Sequence, residues 1–143
     1  MTDTAMAMRT RTSGPSGLES ARAVPNLELA GIAGLASIVA IHATELGGKV
    51  DEVSYLGGGY VALIAAAVMA IVMLAVGDRR GWKLAGATAA ATLIGFVLTR
   101  TTGLPGSTGD VGNWGETLAV WSMASEVAVC ALAGAALLRR GAR

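Results

Sequence analysis

From residue 27 onward the chain is built of four long apolar runs separated by short polar breaks, at about 27–46, 54–76, 82–99 and 116–138. A helix of about 20 residues crosses the roughly 30 Å of bilayer hydrocarbon. The second run suits that best, because residues 54–77 include no charged side chain. His42 and Glu45 interrupt the first run near its end. The third is short, but Lys83 and Arg100 at its ends are able to snorkel. The fourth contains Glu126. A soluble Ala-rich bundle is the competing architecture. Its helices would each carry a polar face, and the second run has none. The pattern therefore predicts an all-α polytopic membrane protein, an antiparallel bundle of four transmembrane helices within residues 27–143. Residues 1–26 are small and polar, with Arg9, Arg11, Arg22, Pro15 and Pro25, and are expected to form a disordered cytoplasmic tail. No convincing small-x-small cleavage site follows the first run, so it reads as an uncleaved first helix.

Charge sets the orientation. Arg9, Arg11 and Arg22 lie before the first run, Arg79, Arg80 and Lys83 between the second and third, and Arg139, Arg140 and Arg143 after the fourth. The alternate breaks hold only Lys49 and Arg100. This loop-by-loop alternation is the positive-inside pattern of a plasma-membrane protein with both termini in the cytoplasm. The breaks at 47–53 and 100–115 then face outward. That side also carries Glu45, Asp51, Glu52, Asp110 and Glu116, a rim able to attract cations. Acidic residues also sit outside without purpose, because carboxylates carry little topological weight.

Composition agrees with a membrane class, at 53% apolar and 15% charged residues. Small residues recur four apart at Ala30/Gly34, Ala62/Ala66/Ala70, Gly86/Ala90 and Ala131/Ala135, spacings that let helix backbones approach closely. Trp114 suits an outer aromatic belt and Trp82 an inner one. A net charge of +1, with no basic strip, leaves no case for nucleic acid as a partner. The expected partners are the lipid bilayer and other membrane subunits, or further copies of this chain.

Candidate chemistry is sparse. Glu126 lies about ten residues into the fourth helix, near mid-bilayer at a rise of about 1.5 Å per residue. A carboxylate there must face protein or water and find a partner. It is either a proton or cation site, or a protonated side chain that hydrogen-bonds a neighbouring helix. Ser122 shares its face at i−4, and Thr88, Thr92 and Thr99 make a matching interhelical polar stripe on the third helix, so the two faces are expected to meet. Arg100 is expected to pair with Glu45, Glu116 or Glu126, its fork fixing their geometry. His42 and Glu45, at i, i+3, are weak candidate metal ligands, since catalytic zinc usually takes three protein ligands. The competing reading is a His42–Glu45 pair at the membrane interface. His42, Glu45, Arg100, Glu116 and Glu126 thus make one candidate polar constellation in the outer half of the membrane. With one histidine and one cysteine, Cys130, an intrachain bis-His haem site and a Cys-pair redox centre are excluded. The cofactor, if any, is left open.

The stretches HATELGGKVDEVSYLG (42–57) and LTRTTGLPG (98–106), followed by a fourth-helix Glu, resemble a group of small actinobacterial four-helix integral membrane proteins. The resemblance covers residues 42–126 and falls on His42, Glu52, Tyr55-Leu56-Gly57, the Arg-Thr-x-Gly-Leu-Pro motif at 100–105, and Glu126. This chain departs from it by the insertion GSTGDVGNW after Pro105. The resemblance implies that His42, Arg100 and Glu126 form one constellation, and it implies no activity. Small size and extensive small-residue faces make an accessory or structural subunit of a larger membrane assembly the first expectation. A proton- or cation-coupled transporter or channel oligomer using Glu126, Arg100 and His42 is the alternative. An outer-face metal-dependent membrane enzyme is the second alternative.

Overall fold

A computed structural model describes residues 17–141, with side chains placed for 26–139. Its helices are α1 (Gly17–Glu52), α2 (Ser54–Ala75), α3 (Gly81–Thr101) and α4 (Thr117–Gly141). Each contains a stretch long and apolar enough to cross a membrane: Asn26–Glu52, Ser54–Ala75, Gly81–Thr101 and Thr117–Arg139. Large apolar side chains point outward along them, among them Val68, Met69 and Val72 of α2 and Leu118, Trp121 and Val127 of α4. A water-soluble bundle would hide these, whereas bilayer hydrocarbon would solvate them.

The helices pack in a ring, α1 on α2, α2 on α3, α3 on α4 and α4 back on α1. Buried positions step by threes and fours: Gly31, Leu35, Ile38 and His42 on α1, Ala67, Ala70 and Leu74 on α2, and Ser122, Glu126, Val129, Ala133 and Ala136 on α4. Small residues set the closest approaches. A Cβ on Gly34 would stand 2.7 Å from Val129 of α4, and one on Gly86 3.1 Å from Ala133. The predicted four-apart ridges are therefore right for Gly34, Ala70 and Gly86 and wrong in phase for Ala30, Ala62 and Ala131, which are exposed. A ridge drawn at strict i+4 drifts off a face that the 3.6-residue repeat follows by alternating threes and fours.

Three expectations are corrected. Residues 17–26, assigned above to a disordered tail, are helical and lead into α1, while 1–16 lie outside the described residues. The expected loop at 47–53 is helical to Glu52, leaving Val53 alone extended (φ −152°, ψ 122°) between α1 and α2. Gly47 and Gly48 are tolerated inside α1, whose last turn is tied by Lys49 Nζ to Glu52 Oε2 at 2.8 Å. Trp82 is no belt residue. It is 2% exposed, and its ring lies against Gly31, where a Cβ would come within 2.5 Å of it.

The link from α2 to α3 is short because α2 ends in a Schellman motif. Asp78 N–H donates to Met73 O (2.8 Å) and Gly77 N–H to Leu74 O (3.0 Å), with Gly77 at φ +76°. The link from α3 to α4, residues 102–116, is longer and has its own fold. Leu104 and Ser107 exchange backbone hydrogen bonds of 2.9 and 2.8 Å around Pro105-Gly106. Pro at the first central position and Gly at the second, with φ +77°, mark a type II turn.

Candidate functional site

That turn lies over the junction of α1 and α2. Tyr55 Oη donates to Pro105 O (2.7 Å), and Ser107 Oγ donates to Glu52. Farther along the loop, Asp110 receives both cations of this end. Lys49 Nζ lies 3.0 Å from Asp110 Oδ2, and Arg100 Nη1 lies 2.9 Å from Oδ1. The second fork nitrogen of Arg100, Nη2, reaches Glu116 Oε2 at 3.0 Å. The Arg100 carbonyl accepts from Gly112 N–H (2.9 Å), so backbone and side chain of one residue both anchor the loop. Phe96, one turn earlier, lies under the guanidinium, 5.2 Å from ring centre to Cζ, and stacks edge-on with Trp114.

Burial by itself raises the Asp110 carboxyl. The hydrogen bond and charge of Lys49, joined by those of Arg100, outweigh burial and hold it below the usual carboxylate range. Asp110 is thus an anionic staple between α1, α3 and the loop.

Beneath the staple, between the four helices, lies a cavity of about 850 Å³. Its sides are mostly small: Gly59 and Ala66 of α2, and Ala87, Ala91 and Gly95 of α3. Its polar wall gathers the residues singled out above. His42, Glu45, Thr88, Thr92, Thr99, Arg100, Glu116, Ser122 and Glu126 all border it. The α3 and α4 stripes come together here, although the hydroxyls look inward to their own helices. Thr92 Oγ1 donates to Thr88 O (2.8 Å), Thr99 Oγ1 to Phe96 O (2.7 Å) and Ser122 Oγ to Glu126 Oε1 (2.8 Å).

Glu126 is 0% exposed, and its second oxygen, Oε2, has no hydrogen-bond partner among the described residues. Of the three carboxylates proposed for Arg100, the structure selects Glu116 and adds Asp110, leaving Glu45 and Glu126 to other groups. The His42–Glu45 pair does not form. His42 Nδ1 donates to Ile38 O (2.9 Å), and Glu45 Oε2 accepts from Tyr60 Oη (3.2 Å). The ring of His42 tilts against that of Tyr60 at 5.0 Å. Among the described residues no group of three His, Cys, Asp or Glu is placed to hold a metal ion. His42 and Glu45 are therefore not completed into a ligand set.

Reading the sequence for sites passed over Tyr60, and it left Lys49 and Asp110 without a partner role. Tyr60 did carry a signal, a phenol inside the least polar helix of a chain with 4% aromatics. Asp110 carried none, since Lys49 lies 61 residues away and no helical periodicity ties a loop residue to Arg100. Comparison with protein-family models, with curated proteins and with solved structures found no match in any of the three.

Proposed function

We propose that this chain is a small membrane transporter whose cavity takes an organic solute and whose Glu126 exchanges a proton as the solute enters and leaves. The observation that carries the reading is a fully buried carboxyl group with one oxygen unpartnered, at the edge of a cavity of about 850 Å³. A carboxyl used as structural glue would have both oxygens satisfied, because an unpaired buried acceptor costs about 1–3 kcal/mol. Volumes of about 300–1,000 Å³ are typical of small-molecule sites. This reading places the accessory-subunit expectation second, since lipid alone accounts for the outward apolar faces. Antiparallel helices, cytoplasmic termini and a plasma-membrane location complete the proposal, supported by the alternation of Lys and Arg along the chain. In that orientation the Asp110 staple and the 102–116 loop cover the outward end of the cavity.

Purified protein in proteoliposomes tests the reading, with labelled cationic, anionic and neutral organic solutes offered in turn. Protein-dependent uptake of at least one class is expected, lost in Glu126→Gln and in Ala91→Phe, which fills the cavity. Uptake of none, or uptake indifferent to both substitutions, refutes it.

A further inference from the structure

The ion pairs at the staple end leave Glu126 without a cation. Lys49 is held by Glu52 and Asp110, and Arg100 by Asp110 and Glu116. Arg79 and Arg80 lie in the α2–α3 link and Lys83 in the first turn of α3, at the other end of those helices. Glu126 has Ser122 as a donor and, among the described residues, no Lys or Arg within salt-bridge distance. The titratable side chains that border the cavity beside Glu126 are His42, Glu45, Lys49 and Glu52 on α1, Tyr55 and Tyr60 on α2, Arg100 on α3, and Asp110 and Glu116 of the loop, with Cys130 one turn beyond Glu126 on α4. Tyr60 Oη is committed to Glu45, and His42 Nδ1 to Ile38 O. Among the described residues no Lys or Arg is free to serve Glu126 as a counter-ion, and His42 would do so only as an imidazolium.

Aromatic rings border the same space. Tyr60 and Phe96 line the cavity among alanines and glycines. A ring face attracts a cation, most strongly where water is excluded. An anionic solute would meet Glu126 and Glu45 without a free cation to offset them. A neutral solute would leave the acid unpaired.

We propose that the cavity selects an organic cation, an amine or quaternary ammonium with an apolar body, which takes the place of the Glu126 proton as that acid's counter-charge. The inference rests on the transport reading above and names the substrate class of the same site. One positive charge enters as one proton leaves, so the buried wall keeps its net charge in both states. This exchange never leaves an isolated carboxylate in the low-dielectric interior, where it is strongly disfavoured.

The test uses the full chain in nanodiscs and two probes of one shape, benzyltrimethylammonium and its uncharged carbon isostere neopentylbenzene. Titration calorimetry is run against empty nanodiscs. The expected result is binding of the cation and not of the isostere. Affinity should weaken at least about thirtyfold in Glu126→Gln and stay unchanged in Asp51→Asn, an exposed control. Wild-type affinity should also fall in acid, by about tenfold per pH unit once Glu126 holds its proton. This arm needs no variant and stands even where Glu126→Gln does not fold. Equal affinity for the two probes, or cation affinity indifferent to pH, overturns the cation inference and leaves a solute-binding cavity in place. Binding of neither probe overturns the cation inference too. The uptake assay above then decides the transport reading separately.

Discussion

Arg100 is the most heavily used side chain of the loop end, and its removal has a calculable cost. It is 7% exposed and holds Asp110 at 2.9 Å and Glu116 at 3.0 Å. The two contacts differ in worth. The Glu116 side chain is 41% exposed, so water screens that pair to about 0–1 kcal/mol. The Asp110 side chain is 27% exposed, and a hydrogen bond between charged groups is worth about 1.5–3 kcal/mol. Lys49 stays on Asp110 when Arg100 is lost, so Asp110 is not left an unpaired charge and the cost stays below that of breaking an isolated buried pair. Arg100→Gln should therefore destabilise by about 2 kcal/mol, and the double cycle with Asp110→Asn should show a coupling of about 1–2 kcal/mol. Arg100→Lys should recover less than half, since one ammonium cannot reproduce a fork that spans two carboxylates. Reversible unfolding in mixed micelles, followed by tryptophan fluorescence, measures all four variants. A coupling below about 0.3 kcal/mol, the limit of simple additivity, would refute the claim that Arg100 and Asp110 act as one staple.

Three further outcomes follow from the packing and the charges. Gly31→Ala should destabilise by about 1–3 kcal/mol, because its Cβ would meet the rigid Trp82 ring at 2.5 Å, and Trp82→Leu in the same chain should recover part of the loss in the same unfolding assay. Asp110 has a folded pKa lowered from the ordinary 3.8, so its contribution is complete above that value and fades as pH falls through the lower folded one. Acid titration of loop stability, read by hydrogen exchange at residues 102–116, should show this loss in the wild type and not in Asp110→Asn. Brominated lipid should quench Trp121, 63% exposed, and spare Trp82, 2% exposed, in single-tryptophan variants; equal quenching would contradict the bundle's inside-outside assignment.

Four helices of membrane-spanning length could be read from the order of residues alone, because apolar runs and chain length are local properties that need no partner to be recognised. Glu126 could be singled out in the same way, since a carboxylate inside such a run is costly wherever the other helices lie. Helix ends were less legible. Gly47-Gly48 and the polar stretch around Lys49 look like a break, yet Lys49 closes on Glu52 within the helix and the turn at Leu104–Ser107 covers the junction. Tertiary structure alone decided which acids meet which cations. Arg100 had three candidate partners by sequence, and Asp110, which was not among them, won the closest contact because the type II turn carries the loop back across α1. It also decided that Tyr60 intercepts Glu45, and that His42 turns to its own backbone. Pairing depends on distances between residues on different elements, 10 apart in the chain for Arg100 and Asp110 and 61 apart for Lys49 and Asp110. No periodicity or composition encodes those distances, and they arise only when four helix faces have chosen one another.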